Sequence, residues 1–238
     1  MSKRSSPLSS AWIFARSQPA LRSVGFWLLF LPLFGMNVLV RFADVLRQEQ
    51  SATANVLALV VVALFLGILL VWGTACVTVI GKRLLQNRAG RSRTSFRAVA
   101  KQASSFVIPL LLTGILRSCI TTLWAILLII PGIIYNLSTI FYPVVVVCEG
   151  LSYRPALQRS KQILKGQWWS GVLRILWIAI VLFTPVHVVL ALLEVSTNDF
   201  LRGLALDFIG SAADAFLIII FTLAMIVVYG ELKKNMKH

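Results

Sequence analysis

Charged residues are scarce in this chain of 238 residues. They make up 13% of the sequence, and only eight of them are Asp or Glu. Soluble globular domains have about 25% charged residues, so the composition excludes that class. The longest polar stretch, residues 82–104, is too short to form a hydrophobic core, and we predict no separate soluble domain.

Residues that carry catalysis or bind metals are also few. The three cysteines, Cys76, Cys119 and Cys148, fall in different hydrophobic stretches without a CxxC pair, and we interpret them as packing residues. No hydrophobic stretch holds the nucleophile with a base, the carboxylate pair or the metal ligands that intramembrane hydrolysis requires. The GxGxxG, P-loop and HExxH motifs are absent from the sequence. We therefore predict a protein that is not an enzyme, with no catalytic residue, metal or cofactor.

Long hydrophobic runs are what the sequence does contain. Hydrophobic residues make up 58% of the chain, and the mean hydropathy is +0.87. A helix needs roughly 20 mostly apolar residues to cross a bilayer. The predicted fold is all-α: one polytopic membrane domain over residues 1–238. Its six spans lie at about 24–40, 54–80, 106–130, 133–148, 169–193 and 208–229.

The basic residues predict the orientation of these spans. Of the 23 Lys and Arg residues, 18 lie before the first span, after every even-numbered span or in the C-terminal tail, and three lie in the opposite loops. Cytoplasmic loops of membrane proteins carry this excess. We therefore expect both termini to lie in the cytoplasm. The same bias accounts for the net charge of +15, so we do not predict a nucleic-acid partner.

Three basic, partly amphipathic segments precede the odd-numbered spans, at residues 7–22, 91–104 and 152–167. They suggest three repeated units, each an interfacial helix followed by a helical hairpin, although the charge bias alone also produces basic segments there. The third is the clearest: Arg154, Arg159, Lys161 and Lys165 are predicted to face lipid headgroups. Trp168 and Trp169 follow as interface anchors. Ordinary anchoring of the helix is the alternative to headgroup recognition.

A few ionisable residues fall inside the predicted spans. Arg117 lies roughly 17 Å from the cytoplasmic boundary, and Asp214 lies roughly 21 Å from it. Because charges at such depths tend to pair, we predict an Arg117–Asp214 ion pair, with a proton relay as the alternative. Glu149 and Arg174 form a second predicted pair. His187 lies alone in the fifth span, where we expect a hydrogen-bonded structural role.

The stretch from residue 127 to 169 resembles a known group of proteins. It contains Ile130-Pro131-Gly132-Ile133-Ile134 and Val147-Cys148-Glu149-Gly150, then an Ala-Leu, Arg-Ser, Gly and Trp-Trp pattern that ends at Trp169. This pattern is similar to that of bacterial six-helix membrane proteins related to the membrane domain of glycerophosphoryl diester phosphodiesterases. The resemblance covers about 40 residues and implies six helices in a bacterial inner membrane. Within it, the positions expected to be architectural are Pro131, Gly132, Glu149, Ser160 and Gly166.

The resemblance supplies no activity, because the phosphodiesterase chemistry belongs to a separate soluble domain. We therefore expect a role in envelope organisation or in the binding of anionic lipid at the cytoplasmic face. The alternatives are a small transporter or channel for an anionic solute, through a cavity near Arg117, Asp214 and His187, and a partner subunit of an unknown enzyme.

Overall fold

The computed structural model describes residues 6–48, 53–85, 95–195 and 200–236. Within these ranges the chain is almost wholly helical, and they contain no strand. The elements are α1 (Pro7–Ser17), α2 (Pro19–Val24), a π-helical turn (Gly25–Phe30), α3 (Leu31–Gln48), α4 (Thr53–Leu85), α5 (Phe96–Leu127), α6 (Ile129–Ser138), α7 (Tyr142–Glu149), α8 (Tyr153–Leu164), α9 (Trp168–Val195) and α10 (Phe200–Asn235).

Six helical segments of the described ranges are long and apolar enough to cross a membrane. They are Pro19–Asp44, Val56–Leu85, Phe96–Leu127, Ile129–Glu149, Trp168–Leu193 and Arg202–Asn235. The predicted all-α architecture with six spans is confirmed. Most segments extend beyond the predicted bounds, because the helical hydrogen bonding continues where the apolar run ends.

Helix α10 is the centre of the bundle. It runs antiparallel to α3, where Asn37 Nδ2 donates to Ser211 Oγ at 3.1 Å, and antiparallel to α9, where the rings of Phe183 and Phe221 are 5.8 Å apart. It packs against α4 in the same direction, so that both helices end on one side of the bundle. The side chains of Ile80, Leu223 and Ile226 are fully buried in the resulting core.

The third and fourth predicted spans are separated by Pro131 and Gly132. The turn between α5 and α6 lies three residues before Pro131. Leu128 adopts an extended conformation with φ −157° and ψ 120°, and α6 begins at the next residue. Pro131 therefore falls in the first turn of α6, where its missing amide removes no helical hydrogen bond. Gly132 is required for close approach, since a Cβ there would lie 2.9 Å from the backbone nitrogen of Ala125.

The three amphipathic segments do not form three alike units. Residues 91–94 lie outside the described ranges, and the rest of the second segment belongs to the continuous helix α5. Helix α1 packs along α10, with the Trp12 and Phe216 rings edge to face at 5.6 Å. Phe216 lies in the middle of α10, about 25 Å of helix before Lys233. In the described part of the third segment, α8 is a separate helix that reaches the end of α10 through the carboxylate of Glu149.

Candidate functional site at the basic end of the bundle

Glu149 ends α7 and lies where α4, α8 and α10 meet. Gly150 follows it with φ 72°, a left-handed conformation that favours glycine, and its amide donates to Val146 O to close the helix. Three residues after Gly150, Tyr153 also has a positive φ of 58°, and its amide donates to the buried Thr113 hydroxyl at 2.8 Å. The turn between α7 and α8 is thereby fixed against α5.

The Glu149 carboxylate joins three helices. Its Oε1 accepts hydrogen bonds of 2.6 Å from the Tyr229 hydroxyl and from Lys233 Nζ on α10. Its Oε2 accepts a 2.9 Å bond from Arg159 Nε on α8. We call Glu149, Arg159, Tyr229 and Lys233 the Glu149 network. It is largely shielded from solvent at the carboxylate, whose side chain is 13% exposed.

The predicted Glu149–Arg174 pair is wrong. Arg174 Nη1 lies 2.6 Å from Glu231 Oε2, and both side chains are more than 40% exposed. Arg174 faces the side of α10 that carries Glu231, whereas Glu149 faces the side that carries Tyr229 and Lys233. The prediction was correct in placing Glu149 and Arg174 at the same end of the bundle. Their partners differ because they face different sides of α10.

Ser160 holds α8 against the break between α6 and α7. Its hydroxyl is fully buried, accepts from the Phe141 amide and donates to Ser138 O, both at 3.2 Å. These partners lie in the stretch where α6 ends and α7 has not begun, and where backbone groups lack helical partners. Gly166, with φ 86°, then turns the chain from α8 into α9.

The two predicted interface tryptophans occupy different environments. Trp168 is half-buried and its Nε1 donates to Ser138 Oγ at 2.9 Å, so it fastens α9 to α6. Trp169 is 71% exposed, and its role as an interface anchor stays a prediction. The rings contact each other edge to face with centroids 4.7 Å apart.

The four cations predicted to face headgroups, three on α8 and Lys165 at its C-cap, divide into two groups. Arg159 belongs to the Glu149 network, so the prediction that it faces lipid is wrong. Arg154, Lys161 and Lys165 are exposed, and none pairs with a carboxylate in the part of the chain that the structure describes. Lys161 Nζ lies 4.0 Å from the centroid of the Tyr135 ring. Partial burial there lowers the pKa of the Lys161 ammonium group.

The three cations that lack a carboxylate partner in the described residues border cavities between α6 and α8. The larger has a volume of about 520 Å³; Trp124, Pro131, Ile134 and Trp168 form its apolar wall, and Lys161 and Lys165 line it as well. The smaller, about 260 Å³, is lined by Arg154 and shares Tyr135 and Lys161 with the first. We call the two together the α6–α8 groove. It combines an apolar wall with a cationic edge.

The predicted Arg117–Asp214 ion pair is wrong. Arg117 Nε donates to Thr139 Oγ1 and Nη2 to Asn136 O, both at 2.9 Å, and Nη2 also reaches Asn136 Oδ1. The break between α6 and α7 leaves these backbone and side-chain acceptors within reach of α5. Depth along the helices was the basis of the prediction, and depth does not specify which sides of two helices face each other.

Asp214 instead lies beside His187. The distance from Asp214 Oδ1 to His187 Nε2 is 3.5 Å, an ion-pair distance without hydrogen-bond geometry. His187 Nδ1 lies 3.0 Å from Phe183 O, so its ring is held by its own helix. This arrangement agrees with the structural role expected for His187.

Arg117 also lines a partly open cavity of about 710 Å³ between α4, α5, α7 and α10. The cavity carries the hydroxyl groups of Thr74, Thr78, Ser118 and Thr222 among mostly apolar side chains. Asp214 and His187 are not among its lining residues. The predicted cavity near all three ionisable residues is therefore wrong in its composition, and only Arg117 contributes to it.

No group of three potential metal ligands occurs among the described residues. The sequence analysis did not identify Lys82, Tyr229 and Lys233 as site residues. Each follows an apolar run and resembles the ordinary end of a membrane span. Comparison with known proteins adds no further assignment: no protein-family model, curated protein or solved structure matches this chain.

Proposed function

We propose that the chain is a non-enzymatic protein of the bacterial cytoplasmic membrane that binds anionic phospholipid at its basic end. The observation that carries this proposal is the α6–α8 groove, in which Lys161 and Lys165 border an apolar wall and lack a carboxylate partner among the described residues.

The groove matches the two parts of a phospholipid. Its apolar wall, with Trp124 and Trp168, suits the upper part of an acyl chain, and the lysines suit the phosphate. Each cation near an anionic headgroup contributes on the order of 1 kcal/mol to binding. Arg159 contributes little, because its charge is already paired with Glu149.

Lipid analysis in native polymer discs tests this proposal. The wild-type protein is expected to be enriched in phosphatidylglycerol and cardiolipin over the bulk membrane, and Lys161→Gln/Lys165→Gln is expected to lose that enrichment. Arg97→Gln/Lys101→Gln removes two charges from exposed positions on α5 and is the matched control. Equal lipid composition in wild type and the groove variant would refute the proposal.

The proposed orientation places both termini in the cytoplasm. It is supported by the charge bias of the loops and by the meeting of the ends of α4, α7 and α10 around the Glu149 network. A green fluorescent protein fused after His238 should fluoresce, and an alkaline phosphatase fused there should be inactive. The reverse pattern would overturn the orientation.

A second candidate function is the passage of an anionic solute through the partly open cavity that Arg117 lines. It is favoured by Arg117, whose Nη1 donates to no group in the described ranges while the residue lines that cavity. Chloride or phosphate efflux from proteoliposomes should then fall in Arg117→Gln, with Asp214→Asn as the matched control outside the cavity. Equal efflux from protein-free liposomes would exclude this function.

A further inference from the structure

Three lysines surround a cavity at the point where α4 and α10 end together. The cavity has a volume of about 320 Å³ and is lined by Lys82, Lys233 and Lys234, with Leu85, Cys148, Tyr229 and Gly230 completing it. It shares no lining residue with the α6–α8 groove. We call it the three-lysine cavity.

Two of the three ammonium groups are held in place by the protein. Lys82 Nζ donates to Val147 O at 3.1 Å, and Lys233 Nζ donates to Glu149 Oε1 at 2.6 Å. An ammonium group has three N–H donors, so each retains two after these bonds. Lys234 is exposed at the mouth of the cavity. Donors fixed in advance bind a ligand with a smaller loss of side-chain freedom.

The charge at this site is far from balanced. Lys82, Lys233, Lys234 and the adjoining Arg159 carry four positive charges against the single carboxylate of Glu149. The other nearby carboxylate on α10, Glu231, is paired with Arg174. The net charge of these five groups is therefore +3, and Lys82 and Lys234 have no carboxylate partner among them.

We propose that the three-lysine cavity binds a phosphate monoester or free phosphate. Such a group carries about −1.5 to −2 charges near pH 7 and offers three acceptor oxygens. That charge compensates the excess better than the single charge of a phosphodiester. Lysine binds phosphate as a point charge, so it requires no bidentate geometry.

Two sources can supply this chemistry: soluble phosphate, and the headgroup of phosphatidic acid, a lipid phosphate monoester. The first test titrates inorganic phosphate into the protein in phosphatidylcholine discs by calorimetry. The second measures the thermal unfolding temperature in discs that contain phosphatidic acid or, at equal mole fraction, phosphatidylglycerol. A phosphate signal indicates the soluble source, and a larger stabilisation by phosphatidic acid indicates the lipid.

The variant Lys82→Gln/Lys234→Gln should weaken the response by about fivefold for each lysine removed. Lys234→Gln alone removes an exposed charge that makes no hydrogen bond or ion pair with the described residues, and it serves if the double variant does not fold. Lys82→Arg/Lys234→Arg retains the charges and should retain binding. The α5 variant Arg97→Gln/Lys101→Gln controls for net charge.

The proposal is overturned if wild type responds to neither probe, or if the α5 variant loses as much binding as the cavity variant. This outcome is distinct from failure of the α6–α8 groove, because Lys161→Gln/Lys165→Gln leaves every lining residue of the three-lysine cavity intact.

Discussion

The hydroxyl of Tyr229 donates a 2.6 Å hydrogen bond to the carboxylate of Glu149, across 80 positions of sequence. Tyr229 is 1% exposed, and its ring also lies 6.0 Å from that of Phe141. Through these contacts the end of α7 is fixed to α10, while Arg159 fixes α8 to the same carboxylate. The basic end of the bundle is thus organised around one acidic residue.

Replacement of Glu149 by Gln should destabilise the protein. The change leaves Lys233 and Arg159 without their carboxylate, and hydrogen bonds to charged groups contribute about 1.5–3 kcal/mol. The free energy of unfolding, measured by detergent-induced denaturation, should fall by about 2 kcal/mol. Glu231→Gln breaks an exposed pair and should cost less than about 1 kcal/mol. Equal losses in the two variants would contradict the central role of Glu149.

Replacement of Ser160 by Ala should loosen the junction of α6, α7 and α8. The buried Phe141 amide loses its acceptor, and an unsatisfied buried group costs about 1–3 kcal/mol. Thermal unfolding should report this loss, and amide exchange at Phe141 should become faster. Ser170→Ala is the matched control, since that exposed hydroxyl donates to Gln167 O one turn earlier on the same chain segment. An unchanged rate of amide exchange at Phe141 would refute the proposed role of Ser160 at this junction.

Arg117 and Asp214 should behave as independent residues. Arg117→Gln removes charged hydrogen bonds to Asn136 and Thr139 and should cost about 2 kcal/mol. Asp214→Asn in the same chain should add its own effect without rescue, because its neighbour is His187. A double-mutant cycle on the free energy of unfolding measures this. A coupling energy above about 1 kcal/mol would instead support a direct ion pair between Arg117 and Asp214.

Two glycine substitutions should have opposite effects. Gly132→Ala places a methyl group against the Ala125 backbone, and such overpacking costs about 1–3 kcal/mol. Gly67→Ala meets no atom within 4 Å in the middle of α4 and should be neutral or stabilising by up to about 1 kcal/mol. Unfolding temperatures of the two variants compare them directly. A stable Gly132→Ala protein would show that the turn at Leu128 can shift.

The partners of individual side chains were less predictable from the sequence than the helices that carry them. The amphipathic pattern of residues 153–164 was visible in the sequence, and α8 occupies Tyr153–Leu164. The pattern did not separate Arg159, which faces Glu149, from Lys161 and Lys165, which border the α6–α8 groove. Arg159 and Lys161 are only two residues apart, about half a turn of helix, and the neighbouring helix decides which role each one takes.

The six spans and the all-α class were determined by the sequence alone, because membrane insertion depends on the length and polarity of each segment by itself. The partners of Glu149, Arg117 and Asp214 were decided only by the tertiary structure. A side chain's partner depends on how far each helix is rotated about its axis and on which helix lies beside it. Composition and spacing along one chain do not contain either quantity.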